Sequence, residues 1–204
     1  MLLASVKGIR EALGFDDMTD ITAAIDMALH AAEPQLASIL DTAFERSEVV
    51  DTFWVQEPGF RQGSHFKTEF RLSRGLLAAA PAVSHTEEPT LFSTPHPVDV
   101  SDAVVFDLGK GIGRDWKTRY NRHYVEIRYT AGFEADPENA QSYDLSQVPA
   151  WLQEAAKLKC LMHLAKQPAL TEAGVALDAR QLDAQLAALI NRHIRYAPMA
   201  LLPL

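Results

Sequence analysis

The 204-residue chain has almost no cysteine, Cys160 being the only one. A single thiol cannot form an internal disulfide, and Cys160 lies in an apolar run, where a reduced core thiol is expected. The chain therefore reads as cytosolic in origin. Long apolar runs are missing as well. No stretch approaches the roughly 18 uninterrupted apolar residues of a membrane span, and Met1 to Lys7 lacks the apolar core of a secretory signal, so neither membrane anchoring nor export is expected. Positive charge is in deficit: 19 Lys and Arg against 27 Asp and Glu leave a formal net charge of −8. Nonspecific wrapping around nucleic acid needs clustered cations to displace counterions, and this balance argues against it. The length allows one ordinary domain or two small ones, with a real hydrophobic core.

Signatures of chemistry are also scarce. Gly109-Lys110-Gly111-Ile112-Gly113 invites a phosphate-loop reading, but the spacing G-x-x-x-x-G-K-[ST] is absent and a strand rather than a helix is expected to follow, so the segment reads as a turn or loop. The seven histidines, at 30, 65, 85, 96, 123, 163 and 193, include no pair at the helical spacing that aims two imidazoles at one metal. His163 and His193 fall on apolar helices and read as core or boundary residues. Asp16, Asp17 and Asp20 lack calcium-loop spacing and read as solvated first-turn charges. Ser64-His65 and Ser84-His85 are only sequence neighbours, neither serine sits in a G-x-S-x-G elbow, and Cys160 is inside a helix. No catalytic residue, cofactor or metal is expected. An enzyme with a site assembled from distant residues is the alternative from a different class.

What is present is a clear periodicity. Ile21, Ile25, Ala28, Leu29, Ala32, Leu36, Ile39, Leu40 and Phe44 recur at three- and four-residue steps and predict a helix, with Thr19 or Asp20 as N-cap. Pro34 inside the pattern predicts a kink, or a break with Pro34 in the first turn of a second helix. From about Ser47 to Gln141 short alternating runs predict strands at Val49 to Val55, Phe66 to Leu72, Val98 to Leu108 and His123 to Thr130, with His85 to Pro97 as an extended loop. Helix returns after Val148, with Pro149 as first helical residue, and runs to a stop near Pro168. It is apolar around much of its girth and should be central. A last helix begins near Asp178, with Gln181 as capping-box partner, Leu177 and Leu182 as staple, and a stripe of Leu182, Leu186, Leu189, Ile190 and Ile194. The expected fold class is α+β: a helical bundle of residues 1–46 and 147–204, with a long β-rich insertion at 47–146.

Charge is unevenly spread. From Asp16 to Glu57 there are ten acidic residues and one basic, Arg46; from Lys110 to Arg128 there are six basic residues against Asp115 and Glu126. Ordinary solvated surface accounts for this, and so would complementary faces between copies or toward another protein. Trp116 and Tyr120 among the basic residues would also suit a nucleic-acid contact.

The order of parts resembles the head–tail connector, or adaptor, family of tailed bacteriophages. The resemblance rests on Tyr129-Thr130-Ala131-Gly132-Phe133, followed by Val148-Pro149-Ala150-Trp151-Leu152-Gln153-Glu154-Ala155, on the opening Ile9-Arg10-Glu11-Ala12-Leu13-Gly14 with Ile21 to Ala32 behind it, and on a terminal helix ending near Ile194-Arg195-Tyr196. It covers about half the chain, and the insertion is longer than in compact members. It implies a non-enzymatic virion protein of the neck, made in the host cytoplasm and assembled as a ring of twelve copies. The ring would dock on the portal protein, present a surface to a tail-side neck or tail protein, and let double-stranded DNA pass without sequence-specific binding. A tail terminator or stopper is the nearest alternative. On this reading the portal-docking candidates are Tyr196, Met199, Leu201, Leu202 and Leu204, unless that apolar tail folds back on its own bundle. The basic interface candidates are Lys110, Arg114, Trp116, Lys117, Arg119, Tyr120 and Arg122; the acidic lumen candidates are Asp16, Asp17, Asp20 and Asp26.

Overall fold

The computed structural model describes residues 1–15, 19–55, 68–87, 94–115, 123–166 and 177–194. Among these are four helices, α1 (Val6–Ala12), α2 (Thr19–Leu40), α3 (Ala150–Leu164) and α4 (Ala179–Ile190). Seven strands accompany them: β1 (Ser47–Val55), β2 (Thr68–Arg71), β3 (Ala82–Glu87), β4 (Val98–Asp99), β5 (Val104–Asp107), β6 (Ile112–Asp115) and β7 (His123–Ala131). The fold is α+β. The chain divides into two compact units, the first of residues 1–40 and 133–194, the second built on residues 41–132. Residues 41–46 thus lie with the strands, and residues 133–146 with the helices.

In the helical unit α3 packs on both α2 and α4, and α1 packs on α2. The central position of α3 follows from its composition: Leu152, Ala155, Ala156, Leu158, Cys160, Leu161 and Leu164 are all buried, covering several sides of the helix. The stripe on α2 buries Ile21, Ile25, Ala28, Leu29, Ala32, Leu36 and Leu40, whereas Ile39 is 37 % exposed. Pro34 does not divide α2, which runs unbroken from Thr19 to Leu40. The proline sits on the exposed side, and buried residues on both sides of it hold the flanking turns in place. The cap of α2 lies outside the described residues. Phe44 is not helical: α2 ends at Leu40, Asp41 takes a left-handed φ of 50°, and Phe44 is buried in the second unit. Pro149 is the N-cap of α3, one residue before the expected place. Asp178 caps α4 by accepting from the Arg180 and Gln181 amides, at 2.9 and 3.3 Å.

The second unit is two antiparallel sheets, one ordered β1-β7-β3-β4 and one ordered β2-β6-β5. Their inner faces share one core that includes Phe53, Val83, Val125 and Ile127 of the first sheet and Phe70 and Val104 of the second. The Phe53 and Phe70 rings meet at 5.2 Å. Strand β3 was not expected, and it takes His85 to Glu87 out of the presumed loop. The expected strand from Val98 to Leu108 is two strands separated by a 3-10 turn at Ser101–Ala103. Asp99 causes the interruption, since its carboxylate accepts from both the amide and the hydroxyl of Ser101, at 2.9 and 2.7 Å.

Candidate interaction surfaces

The strand register decides what the second unit can present. Val55 and Glu87 both pair with His123, and Thr68 pairs with Asp115. Val55 and Glu87 therefore flank His123 in one sheet, and Asp115 lies beside Thr68 in the other. In the sequence, Asp115 and His123 flank the basic, aromatic residues 116–122, which lie outside the described residues. Both flanking residues are buried, Asp115 completely.

These residues carry a polar cluster between the sheets. Side chains alternate along a strand, so His85, opposite Val125, and His123, opposite Val55, share the inner face with Phe53. The two imidazoles stack with centroids 4.9 Å apart and planes 14° apart. His123 Nε2 lies 3.6 Å from Glu87 Oε1. Burial, then the neighbouring His123, holds the proton affinity of His85 below its ordinary value, against the opposing influence of Glu87 and Asp115. The pair escapes a search for helical spacing because its members are 38 positions apart; the antiparallel ladder, not the helix, joins them. No group of three or more His, Cys, Asp or Glu among the described residues could hold a metal ion.

Of the basic candidates, Lys110 and Arg114 are among the described residues. Lys110 lies in the β5–β6 turn, at the opposite end of β6 from Asp115. Arg114 points to the face opposite Asp115 and pairs with Glu69 at 2.6 Å. Trp116, Lys117, Arg119, Tyr120 and Arg122 lie outside the described residues. The glycine-lysine segment is a tight turn in which two amides are engaged: Asp107 accepts from Lys110 N through its carboxylate at 3.1 Å and from Gly111 N through its carbonyl at 2.8 Å. Gly111 has a φ of 63°, and a Cβ there would strike the Arg74 carbonyl.

Several acidic residues of the N-terminal quarter have partners of their own. Asp26 pairs with His30 on α2 at 3.5 Å. Glu33 binds the Met1 ammonium and accepts from the Tyr143 hydroxyl, both at 2.6 Å. Asp41 pairs with Arg71, and Asp51 is buried in the second unit. Asp16, Asp17 and the side chain of Asp20 are outside the described residues, as are Ser64, His65 and the tail residues Tyr196, Met199, Leu201, Leu202 and Leu204.

Each residue of the Tyr129 to Phe133 motif has a physical task. The Tyr129 hydroxyl donates to Asp51 at 2.8 Å and accepts from the Arg74 amide at 3.1 Å. The Thr130 carbonyl accepts from Ala78, and the fully buried Ala131 bridges to Leu77. Gly132 has a φ of 87°, and a Cβ there would collide with the carbonyls of Phe44 and Glu45. Phe133, in the helical unit, meets the edge of Tyr143 at 6.0 Å. In the second motif, the Pro149 carbonyl accepts from the Leu152 and Gln153 amides, and the Gln153 side chain folds back to the carbonyls of Leu145 and Val148, at 2.9 Å each. His163 contacts Gln35 at 3.1 Å, and His193 stacks on Trp151 at 3.8 Å. Ser84 and His85 point to opposite faces of β3.

No protein-family model matches the chain, and no curated protein does. Among solved structures, a chain from "Neck of empty GTA particle computed with C6 symmetry" is similar over 96 % of this chain and 91 % of that one, with a TM-score of 0.44 and 18 % identity. No described helix is long and apolar enough to cross a membrane.

Proposed function

We propose that this protein is a structural, non-enzymatic component of a phage-type neck, the adaptor ring between portal and tail. One observation carries the reading: the motif Tyr129 to Phe133 closes the β-rich unit and hands the chain to the helical unit, where Val148 to Ala155 opens the central helix. That order of parts is the one on which the family resemblance rests, and every residue of the first motif has a geometric reason to be there. The tail residues Tyr196, Met199, Leu201, Leu202 and Leu204 would dock in a preformed groove of the portal, because a short apolar segment repays its ordering entropy only against a ready surface. Lys110, Arg114, Trp116, Lys117, Arg119, Tyr120 and Arg122 would meet an acidic neighbour. Asp16, Asp17, Asp20 and Asp26 would line the channel and repel passing DNA.

Native mass spectrometry and electron microscopy of the protein with and without its portal test this reading. The expected result is a closed ring, of twelve copies, that forms with the portal and fails when residues 196–204 are removed. A ring that ignores the portal would instead favour a tail terminator or stopper. A monomer indifferent to every virion component would sink both readings.

A further inference from the structure

We propose that the outer edge of β1 is the surface through which the free chain pairs with a second copy, two β1 strands joining antiparallel about Thr52 into one continuous sheet. Each sheet of the second unit has two edge strands. Three of these four are short: β2 and β5 have four residues each and β4 has two. Pro95 and Pro97, just before β4, lack the amide that a further strand would need. Strand β1 is different. It has nine residues, Ser47–Val55, none of them proline, glycine or lysine, and among the described strands it pairs only with β7. Its other side therefore offers a long row of backbone amides and carbonyls, a template for an added strand.

The side chains of β1 match those of a second β1. On the face turned away from the core the strand carries Glu48, Val50, Thr52 and Trp54. Val50 is 52 % exposed there, and Trp54 meets Tyr124 of β7 at 4.6 Å. A two-fold axis at Asp51 would set two carboxylates against each other. An axis at Thr52 sets Asp51 against Phe53, Thr52 against Thr52 and, twice over, Val50 against Trp54, and threonine pairs and aromatic–β-branched pairs both stabilise antiparallel sheets. Axes further along push Val50 or Trp54 past the end of the partner strand. Beneath β1 lies β2, the edge of the other sheet, in contact through Phe53 and Phe70. The partner's β2 therefore arrives alongside, and the join is two sheets deep. Such a contact is isologous and closes on two copies. It is a state of the free chain, separate from any ring, and does not depend on the neck reading.

Sedimentation of the full chain alone at micromolar concentration should show a dimer. Thr52→Lys, which sets two ammonium groups at the axis, should turn it into a monomer with an unchanged circular dichroism spectrum. Disulfide trapping reads the register. Directly opposed residues of an antiparallel pair have Cα atoms about 5 Å apart, within disulfide reach, so Thr52→Cys should cross-link under mild oxidant. Val50→Cys would lie roughly 13 Å from its own counterpart and should cross-link roughly tenfold more slowly. Cys160 is buried in α3 and does not compete. A monomeric wild-type chain, a dimer that T52K leaves intact, or trapping of V50C as fast as T52C overturns the proposal. If T52K does not fold, the wild-type mass and the contrast between the two cysteine variants decide. A monomer that still forms a ring with the portal sinks the β1 pairing alone, and a β1 dimer that ignores every virion component sinks the neck reading alone.

Discussion

The Tyr129 hydroxyl donates to the Asp51 carboxylate at 2.8 Å, between β7 and β1, and Asp51 is only 4 % exposed. The same carboxylate accepts from the Ser73 amide at 2.6 Å. One buried acid thus ties both strands to the chain after β2. Arg74 extends the tie by donating to the carbonyls of Ala43 and Glu45 and to the Ser47 hydroxyl.

Removing the hydroxyl leaves Asp51 buried with one acceptor site unmatched. Tyr129→Phe should cost about 1–3 kcal/mol, read from urea unfolding. Combined with Asp51→Asn in a double-mutant cycle, it should show a coupling of about 0.5 kcal/mol or more. Additive losses would mean that the two groups stabilise the unit independently.

Burial raises the Tyr129 hydroxyl to about 12, with Asp51 adding to the shift. An acid whose folded value is raised stabilises fully below its unfolded value, here about 10, and that contribution is lost as pH rises toward 12. Alkaline titration followed by tyrosinate absorbance should show one of the five tyrosines ionising only with loss of structure. Tyr129→Phe should remove that late step.

Gly132 combines a positive φ with two carbonyls where a Cβ would sit. Gly132→Ala should destabilise the second unit by more than about 1 kcal/mol. A proteolysis assay should find cleavage within residues 41–132 accelerated. Unchanged protection would show that the turn can relax around a methyl group.

Asp178 is a cap by geometry, so Asp178→Ala should cost about 1 kcal/mol and Asp178→Asn much less. Thermal unfolding monitored by far-ultraviolet circular dichroism separates the two. Equal losses would assign the effect to charge rather than to the hydrogen bonds.

Cys160 is fully buried, and burial pushes its thiol up to about 12. A disulfide reagent at pH 8 should therefore react at the rate of unfolding and not with the folded chain. Immediate stoichiometric reaction would show that α3 opens locally.

The helices were legible in the sequence because a 3.6-residue period is a local property. Ile25, Leu29, Ala32 and Leu36 state it within a few turns, and Asp178 states its cap within three residues. Strand β3 was not legible: Ala82 to Glu87 is half-exposed and mixed in polarity, and it is strand because β7 offers its edge. Ile39 and Phe44 continue the helical spacing, yet Leu40 ends the helix because Asp41 turns left-handed, and the spacing alone carries no sign of that.

Of the candidate sites, the sequence marked the charged and apolar stretches without showing which members adjoin. It separated Lys110 from Arg114 by only four positions, whereas Lys110 lies in the β5–β6 turn and Arg114 on β6, paired with Glu69. It set His85 and His123 far apart, whereas the ladder stacks them.

The sequence by itself determined the α+β class, the helical ends and the β-rich middle, since period and turn residues act over neighbours in the chain. Only the tertiary structure decided that Asp51 binds Tyr129, that His85 stacks on His123, and that the Lys110 and Gly111 amides turn to Asp107. Those relations depend on register, and register is settled by packing over distances that local pattern does not span.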